Sequence, residues 1–333
     1  MRTLSIGKIR GLQQIAGADG VFTMCAMDHR GSLESALCTP ERTNDCPREM
    51  TGFKLELCEA LAPHASAVLL DPIYGAAQAI AEGLIPKSCG LLVSLEATGY
   101  TGSNQYRETL LLKGWSVAKL KRMGASAAKI LVYYRPELTA LAQKQIQLVR
   151  KLAEECREFD IPFLVEPLSY PIGNEVGNAA KYARNKEQVV IQTARDMTSL
   201  PIDVLKAEFP ADLDYQQDEA ELSRLCRELD KASAVPWVIL SAGAGFDSFI
   251  RQVDIACRCG ASGFLAGRAV WQEAMGIMDA GARRRFLTGV AVRRLDRLAQ
   301  IAHEHATPWY KKLGLEADHL ADIPPHWHAE YEA

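Results

Sequence analysis

The sequence predicts a closed (β/α)₈ barrel built from eight parallel strands, and three observations support this fold. Eight short apolar runs recur along the 333 residues, and such runs are typical of strands covered on both faces. Longer segments with helical periodicity separate these runs, as in parallel β/α proteins. No linker rich in Pro, Gly or Ser divides the chain, and no Gly-x-Gly-x-x-Gly motif follows the first run. A barrel is therefore favoured over an open dinucleotide-binding sheet.

The strands are predicted, in chain order, at residues 21–28, 67–72, 90–97, 127–134, 162–168, 203–209, 236–243 and 263–268. Helices are predicted between them because apolar residues recur along one stripe, for example at Leu138, Leu141, Ile146, Val149 and Leu152. A later helical segment ends at Gly260, a residue type that commonly terminates helices. We interpret residues 1–333 as one barrel domain with a helical and polar extension from about residue 301.

The composition excludes several classes of partner. With 48% apolar residues, 24% charged residues and a formal net charge of −3, the chain has no electrostatic reason to bind nucleic acid or an anionic membrane. No apolar run approaches the roughly 18 residues that a membrane-spanning helix needs. The first residues lack the apolar core of a signal peptide. We therefore expect a cytoplasmic protein without a nucleic-acid or membrane partner.

The cysteines and histidines form no metal-binding pattern. The closest cysteine pair, Cys257 and Cys259, has no second pair or neighbouring histidine that would complete a zinc site. An odd number of cysteines, nine here, without a secretory signal is typical of free thiols in a reducing compartment. We expect free cysteines and a chemistry that needs neither a metal nor another cofactor.

Polar residues stand where a barrel enzyme carries its catalytic groups, at the carboxyl ends of the strands. These residues are Asp28, Asp71, Glu96, Glu166, Lys206, Ser241 and Arg268. A helix cap or a salt bridge explains any single carboxylate at such a position equally well. Asp71, which precedes Pro72, fits a turn residue best, and Glu96 stays unassigned.

Lys206 lies in the middle of an otherwise apolar strand, where an unpaired ammonium is costly. Alternation places Val204, Lys206 and Glu208 on one face, and one face of every barrel strand points inward. Two explanations stay open on the residues alone. The lysine forms a structural ion pair with Glu166 or Glu208, or desolvation and a neighbouring cation favour its neutral, nucleophilic amine. Lys129, a second inward lysine early in its strand, is the candidate for that cation.

Two Gly-rich turns follow the last two predicted strands, at residues 240–246 and 265–269. Barrels commonly bind phosphate at this position through backbone N–H groups, and an arginine adds charge-assisted hydrogen bonds. The alternative is that the glycines merely permit tight turns. Because the two turns follow neighbouring strands and one contains Arg268, the pattern favours phosphate recognition.

Six motifs, taken together, carry a resemblance to a known family. They are MDHRG (27–31), KILVYY (129–134), LVEPL (164–168), DVLKAEFP (203–210), VILSAG (238–243) and LAGRA (265–269). In this order and at these intervals they resemble the class I tagatose 1,6-bisphosphate aldolases. The resemblance covers roughly residues 5–312, including ATPWYKK at 306–312.

This resemblance implies a (β/α)₈ barrel that cleaves a phosphorylated ketose through a lysine Schiff base without a metal. The substrate would be tagatose 1,6-bisphosphate, and the products dihydroxyacetone phosphate and glyceraldehyde 3-phosphate. Lys206 matches the Schiff-base lysine, and Glu166 matches the glutamate that moves protons. Asp28 and Lys129 match a polar pair of the active site. Positions that bind substrate and phosphate match Arg30, Ser241, Gly243, Gly267 and Arg268.

The chain departs from the family pattern at three positions. His29 stands where glutamine is common, KAEFP replaces a KVEVP-like stretch, and Pro167 follows the glutamate. A related branch cleaves a sulfonated ketose phosphate, so this substrate is an alternative. A sugar-phosphate isomerase with Glu166 as base, and a non-catalytic phosphosugar-binding barrel, also stay open. The sequence leaves both the role of His29 and the existence of a homo-oligomer undecided.

Overall fold

Eight parallel strands close into a barrel, which confirms the (β/α)₈ fold. The structure, a computed structural model, describes residues 4–40 and 42–331. Barrel strands that are neighbours in space also follow one another along the chain, and the first strand pairs with the last. The barrel strands and a hairpin, β4–β5, are β1 (Phe22–Ala26), β2 (Ala67–Leu70), β3 (Gly90–Ser94), β4 (Thr101–Ser103), β5 (Tyr106–Glu108), β6 (Ala127–Tyr133), β7 (Phe163–Leu168), β8 (Val204–Ala207), β9 (Trp237–Ile239) and β10 (Gly263–Ala266).

Each barrel strand matches one predicted apolar run, but most of the runs continue beyond the end of the strand. Several of the polar groups that were predicted at strand ends therefore lie in the first residues of the following loops. Four of them follow the last residue of a strand at the same offset, namely Asp28, Glu96, Ser241 and Arg268. The barrel thus presents these four side chains around one end.

Alternate strand residues fill the barrel interior, as expected for a small barrel. They include Met24, Leu69, Leu92, Leu164, Val204, Val238 and Leu265. Helix α1 (Ile6–Ile15), which the sequence pattern did not predict, closes the amino-terminal end with Leu12 and Ile15. Trp309 joins the same cluster from the other end of the chain. Because this end is packed, we look for a site at the carboxyl ends of the strands.

The remaining helices surround the barrel or extend from it. They are α2 (Gly31–Leu37), α3 (Cys46–Leu61), α4 (Ala76–Ala81), α5 (Val117–Met123), α6 (Thr139–Glu158), α7 (Ala179–Thr198), α8 (Glu219–Ala232), α9 (Phe246–Arg258), α10 (Arg268–Trp271), α11 (Ala280–Phe286), α12 (Val292–His305), α13 (Trp309–Lys312) and α14 (Trp327–Glu330). The apolar stripe predicted for α6 is buried at Leu141, Val149 and Leu152. Over residues 4–40 and 42–331, no helix has the length and apolarity needed to cross a membrane. The assignment of one domain with an extension stays a prediction, and the proposed boundary at about residue 301 falls inside α12.

Buried polar contacts attach α1 to the amino-terminal end of the barrel. The Lys8 ammonium is 2.7 Å from the Asp203 carboxylate, which also accepts a hydrogen bond from the Phe163 amide at 2.9 Å. Asp160 accepts hydrogen bonds from the backbone amides of Gly7 and Lys8. Its carboxylate also accepts the hydroxyls of Ser5 and Tyr331, so both ends of the described chain meet on one side chain.

The expectation that all nine cysteines are free is wrong. Cys38 and Cys46 form a disulfide bond, with their Cα atoms 5.1 Å apart. Cys38 follows the last residue of α2 and Cys46 is the first residue of α3, so the short loop between the helices brings the two thiols together. The other cysteines are free and buried.

Lys8→Met should lower the free energy of unfolding by about 3–5 kcal/mol, because it leaves the Asp203 carboxylate buried without its cation. Urea denaturation measures this loss. The control is Lys151→Met, because the Lys151 side chain is 70% exposed and 3.9 Å from Glu155, so its loss should stay within about 0.5 kcal/mol. Equal losses in the two variants would contradict the prediction.

Candidate active site

A cavity of about 370 Å³ opens at the carboxyl ends of the barrel strands, where the fold predicts a catalytic site. The residues that line it include Asp28, His29, Arg30, Glu96, Glu166, Lys206, Ser241, Gly267 and Arg268. With Leu131 and Tyr133 of β6, which also line the cavity, the structure brings together residues from seven of the eight barrel strands or their loops. Two of the predicted site residues, Lys129 and Gly243, lie next to the cavity without lining it.

The pairing register of β7 and β8 places Glu166 beside Lys206. Leu164 pairs with Val204 and Val165 with Leu205, so the next residue of each strand faces inward at the same level. The Lys206 ammonium is 2.8 Å from the Glu166 carboxylate, and both side chains are buried. The nucleophile and the proton carrier implied by the family resemblance are therefore in direct contact.

Lys129 lies one step deeper in the barrel and binds three carboxylates. Its register partner on β7 is Leu164, whereas Glu166 pairs with Leu131 further along β6. The ammonium is 2.7 Å from Asp28, 2.7 Å from Glu96 and 2.9 Å from Glu166. Lys129 is only 1% exposed, so these carboxylates replace the water that would otherwise solvate it. This arrangement explains why the lysine occurs early in its strand.

The charges of this cluster shift one another's protonation equilibria. Burial acts to raise the pKa of the Asp28 carboxyl, but Lys129 and Lys206 outweigh it and hold that pKa far below its ordinary value. Burial also acts to raise the pKa of Glu166, but the same two lysines outweigh it and lower that pKa below its ordinary value. Burial acts to lower the pKa of Lys129, but Asp28, Glu166 and Glu96 raise it well above the ordinary value. Both carboxylates and the Lys129 ammonium are consequently charged at neutral pH.

Glu96, which the sequence left unassigned, belongs to this cluster. One carboxylate oxygen contacts Lys129, and the other accepts a hydrogen bond from the Leu131 amide at 3.1 Å. The Glu96 backbone carbonyl accepts a hydrogen bond from Arg30 at 2.6 Å. Its position just after a barrel strand was the only sequence signal. The sequence does not show that the Glu96 carboxylate contacts Lys129, because that lysine lies on a different strand, β6.

The two Gly-rich turns, for which the sequence predicts phosphate binding, lie together at one side of the cavity. Gly243 has φ of 82°, and a Cβ at this position would lie 3.6 Å from the Arg268 guanidinium. A Cβ on Gly267 would lie 2.7 Å from Cε1 of His29, so a larger residue here would displace the imidazole. Ser241, Gly267 and Arg268 line the cavity here. The glycines therefore satisfy the geometry of tight turns and also bring backbone and guanidinium to the cavity wall.

His29 and Arg30 each carry a buried nitrogen that has no hydrogen-bond partner within the described part of the chain. These atoms are Nδ1 of His29 and Nη1 of Arg30, and both residues line the cavity. The His29 ring packs edge-on against Trp271, with ring centroids 5.2 Å apart. Because buried polar groups are normally hydrogen-bonded, both atoms have hydrogen-bonding capacity left for a ligand or a water molecule in the cavity.

Two further carboxylates near strand ends are turned away from the cavity. Asp71 accepts hydrogen bonds from the Ile73 and Tyr74 amides, which confirms its interpretation as a turn residue. Glu208 was expected on the inward face with Lys206, and this expectation is wrong. It lies beyond the end of β8 and accepts a hydrogen bond from the Ser169 amide at 2.7 Å instead. Of the two predicted partners, Glu166 is therefore the one that pairs with Lys206.

His29 should remain neutral down to about pH 4. Burial lowers its pKa from 6.5 to about 4, with Arg268 and Lys206 adding to the effect and Asp28 opposing it. The midpoint is measurable by NMR on the imidazole Cε1 proton, with His29→Gln identifying the resonance. A midpoint near 6.5 would contradict the burial argument.

The same shift links His29 to stability. Between pH 6.5 and about 4 the unfolded chain binds a proton that the folded chain does not, so stability falls as the pH is lowered through this window. The slope is at most about 1.4 kcal/mol per pH unit, and His29→Gln should be flatter by that amount when the free energy of unfolding is measured against pH.

Comparison with known proteins identifies the family. The model for the DeoC/LacD family aldolases matches residues 22–273. A tagatose 1,6-diphosphate aldolase of Streptococcus agalactiae is 30% identical over 323 residues, covering 92% of this chain and 98% of that protein. A tagatose 1,6-diphosphate aldolase of Listeria monocytogenes is 32% identical over 335 residues, covering 94% of this chain and 97% of that protein.

A solved structure supports the fold independently. An archaeal fructose 1,6-bisphosphate aldolase superposes with a TM-score of 0.58 at 20% identity, covering 88% of this chain and 98% of that chain. The family match extends from β1 through α10 and includes Lys206 and the whole cluster around Lys129. The chain belongs to the DeoC/LacD family of aldolases.

Proposed function

We propose that this protein is a class I aldolase, a carbon–carbon lyase, that cleaves tagatose 1,6-bisphosphate to dihydroxyacetone phosphate and glyceraldehyde 3-phosphate. The observation that carries the proposal is the contact between Lys206 and Glu166 at 2.8 Å, in a cavity at the carboxyl ends of the strands. The names of the relatives at 30% and 32% identity support the choice of substrate.

The first half of the reaction forms a Schiff base on Lys206. Glu166 accepts a proton from the Lys206 ammonium, and the neutral amine attacks the C2 carbonyl of the ketose. Glu166 then returns the proton to the C2 hydroxyl of the carbinolamine, which leaves as water. The product is an iminium ion, which withdraws electrons from the neighbouring carbon–carbon bond.

The second half breaks the bond between C3 and C4. A base, either Glu166 or Asp28, removes the proton of the C4 hydroxyl, and glyceraldehyde 3-phosphate leaves. The electron pair of the broken bond stays on C3 as an enamine. Protonation at C3 and attack of one water on the iminium then release dihydroxyacetone phosphate and restore the free lysine.

We assign Lys129 an electrostatic role. Its charge lies against the Glu166 carboxylate at 2.9 Å and favours the proton-free form of that group. Because Lys129 is enclosed by three carboxylates below the cavity, a direct bond to a substrate hydroxyl requires one of those contacts to open.

We assign one phosphate to the two Gly-rich turns and the other to Arg30. Ser241, Gly243, Gly267 and Arg268 would hold the first phosphate through backbone amides, a hydroxyl and a guanidinium. The unpaired Nη1 of Arg30 would complete its hydrogen bonding on the second phosphate. Anchoring both ends would fix the C2 carbonyl over Lys206.

Incubation with dihydroxyacetone phosphate followed by borohydride reduction should place a stable adduct on Lys206, located by peptide mass spectrometry. Lys206→Met should fold, form no adduct and lose cleavage activity. Lys151→Met, at an exposed position on α6, is the matched control and should form the adduct normally. An adduct on another lysine, or activity abolished by a chelator, would contradict the mechanism.

A substrate panel tests the choice of sugar. Tagatose 1,6-bisphosphate, fructose 1,6-bisphosphate and a sulfonated ketose phosphate should be compared by kcat/KM in a coupled triose-phosphate assay. We expect tagatose 1,6-bisphosphate to be cleaved at least as well as the fructose epimer and better than the sulfonated ketose. Preference for the sulfonated ketose would assign the chain to the branch that cleaves that substrate.

The trapping and turnover experiments also test the isomerase and the non-catalytic barrel. A sugar-phosphate isomerase would turn over phosphotrioses or phosphopentoses without borohydride trapping, and a non-catalytic barrel would bind ligand without forming products. A cytoplasmic location is also part of our proposal, because charged sugar phosphates do not cross membranes unaided.

A further inference from the structure

A further buried lysine, Lys54 of α3, lies behind the turn that carries Asp28. Its ammonium is 2.5 Å from the Asp71 carboxylate, and both side chains are fully inaccessible to solvent. The same ammonium donates a hydrogen bond at 2.7 Å to the backbone carbonyl of Met27, the residue immediately before Asp28. Neither Lys54 nor Asp71 lines the cavity, so substrate cannot touch them.

This pair connects two loops of the catalytic end. The second oxygen of Asp71 accepts hydrogen bonds from the Ile73 and Tyr74 amides, each at 2.9 Å, and so fixes the loop after β2. Through Lys54 the same carboxylate is linked to the loop after β1. The Met27 amide donates to the Leu69 carbonyl at 2.8 Å, so both backbone groups of Met27 are held.

Stability alone does not account for such a pair. Replacing a buried ion pair by apolar side chains of similar volume is often neutral or stabilising. The chain contains a second buried pair for comparison, Lys8 with Asp203, at the packed end of the barrel and away from the cavity. What distinguishes Lys54 is its hydrogen bond to the peptide that precedes a residue of the catalytic cluster.

We propose that Lys54 is a positioning residue that holds the Met27 carbonyl so that the Asp28 carboxylate stays on Lys129. The inference rests on the proposed aldolase function. Asp28 is one of the three carboxylates that neutralise Lys129, and its contact at 2.7 Å depends on where the backbone after β1 is held. Displacement of a reacting group by about 1 Å costs up to about 100-fold in rate.

The test compares two double variants, Lys54→Met/Asp71→Asn and Lys8→Met/Asp203→Asn. Each removes both charges of one buried pair and keeps an oxygen that can accept the backbone amides, so neither leaves a buried charge unpaired. Only the first leaves the Met27 carbonyl without its donor. Because the phosphate-binding turns are unchanged, the effect should fall on kcat and on the rate of adduct formation with dihydroxyacetone phosphate rather than on KM.

We expect the Lys54 double variant to lower kcat and the trapping rate by about 10- to 100-fold, and the Lys8 double variant to stay within about twofold of wild type. The total adduct at long times should equal that of wild type, since the folded fraction is intact. If the trapping rate and the total adduct fell by the same factor, less protein would be folded, and the role of Lys54 would be structural only. Unchanged kcat in the Lys54 double variant would overturn the proposal.

The single variant Asp71→Asn separates the hydrogen bond to Met27 from the charge pair. It keeps the bond from Lys54 to the Met27 carbonyl, so kcat should remain within about threefold of wild type, whereas a loss of tenfold or more would assign the effect to the charge pair. Failure of the proposed function is distinguishable, because wild type would then give no adduct on Lys206.

Discussion

The structure of the catalytic end depends on the need to neutralise Lys129 where no water reaches it. A buried ammonium is tolerated only when carboxylates surround it, and here Asp28, Glu96 and Glu166 do so from three different strands or loops. The three carboxylates depend equally on the lysine, because without its charge they would repel one another. Lys206 joins this group through Glu166 and shares a carboxylate with Lys129. The two lysines and three carboxylates are therefore held in place by their mutual electrostatic attraction.

The barrel converts local sequence into this cluster in two ways. The inward alternation and register of β6, β7 and β8 fix the relative depth of Lys129, Glu166 and Lys206. The loop residues then add groups around the rim, each following its strand by the same small offset. The amino-terminal end is packed by α1 and Trp309, so the cavity opens at the opposite end. The strands thus supply Lys206 and Glu166, to which we assign the reaction, and the loops supply the groups assigned to the phosphates.

The sequence predicted the features that a local pattern determines. The apolar runs located all eight strands, the charge of Lys206 within an apolar run singled out β8, and the spacing of the glycines located the turns beside Arg268. Apart from the pair of Lys206 with Glu166, contacts between residues far apart in the chain were not predicted. No local sequence pattern predicts the contact of Glu96 with Lys129 or the hydrogen bond from Lys54 to Met27. The disulfide bond between Cys38 and Cys46 was not predicted either. Glu208 was misplaced because alternation was extended past the last residue of β8.

Asp160 has a consequence for the chain as a whole. It receives Ser5 and Tyr331 on one carboxylate, beneath the barrel and opposite the cavity. Residues 5 and 331 are consequently close together in space. One side chain thus attaches the first and the last described segments to the same face of the barrel, on the side away from the cavity.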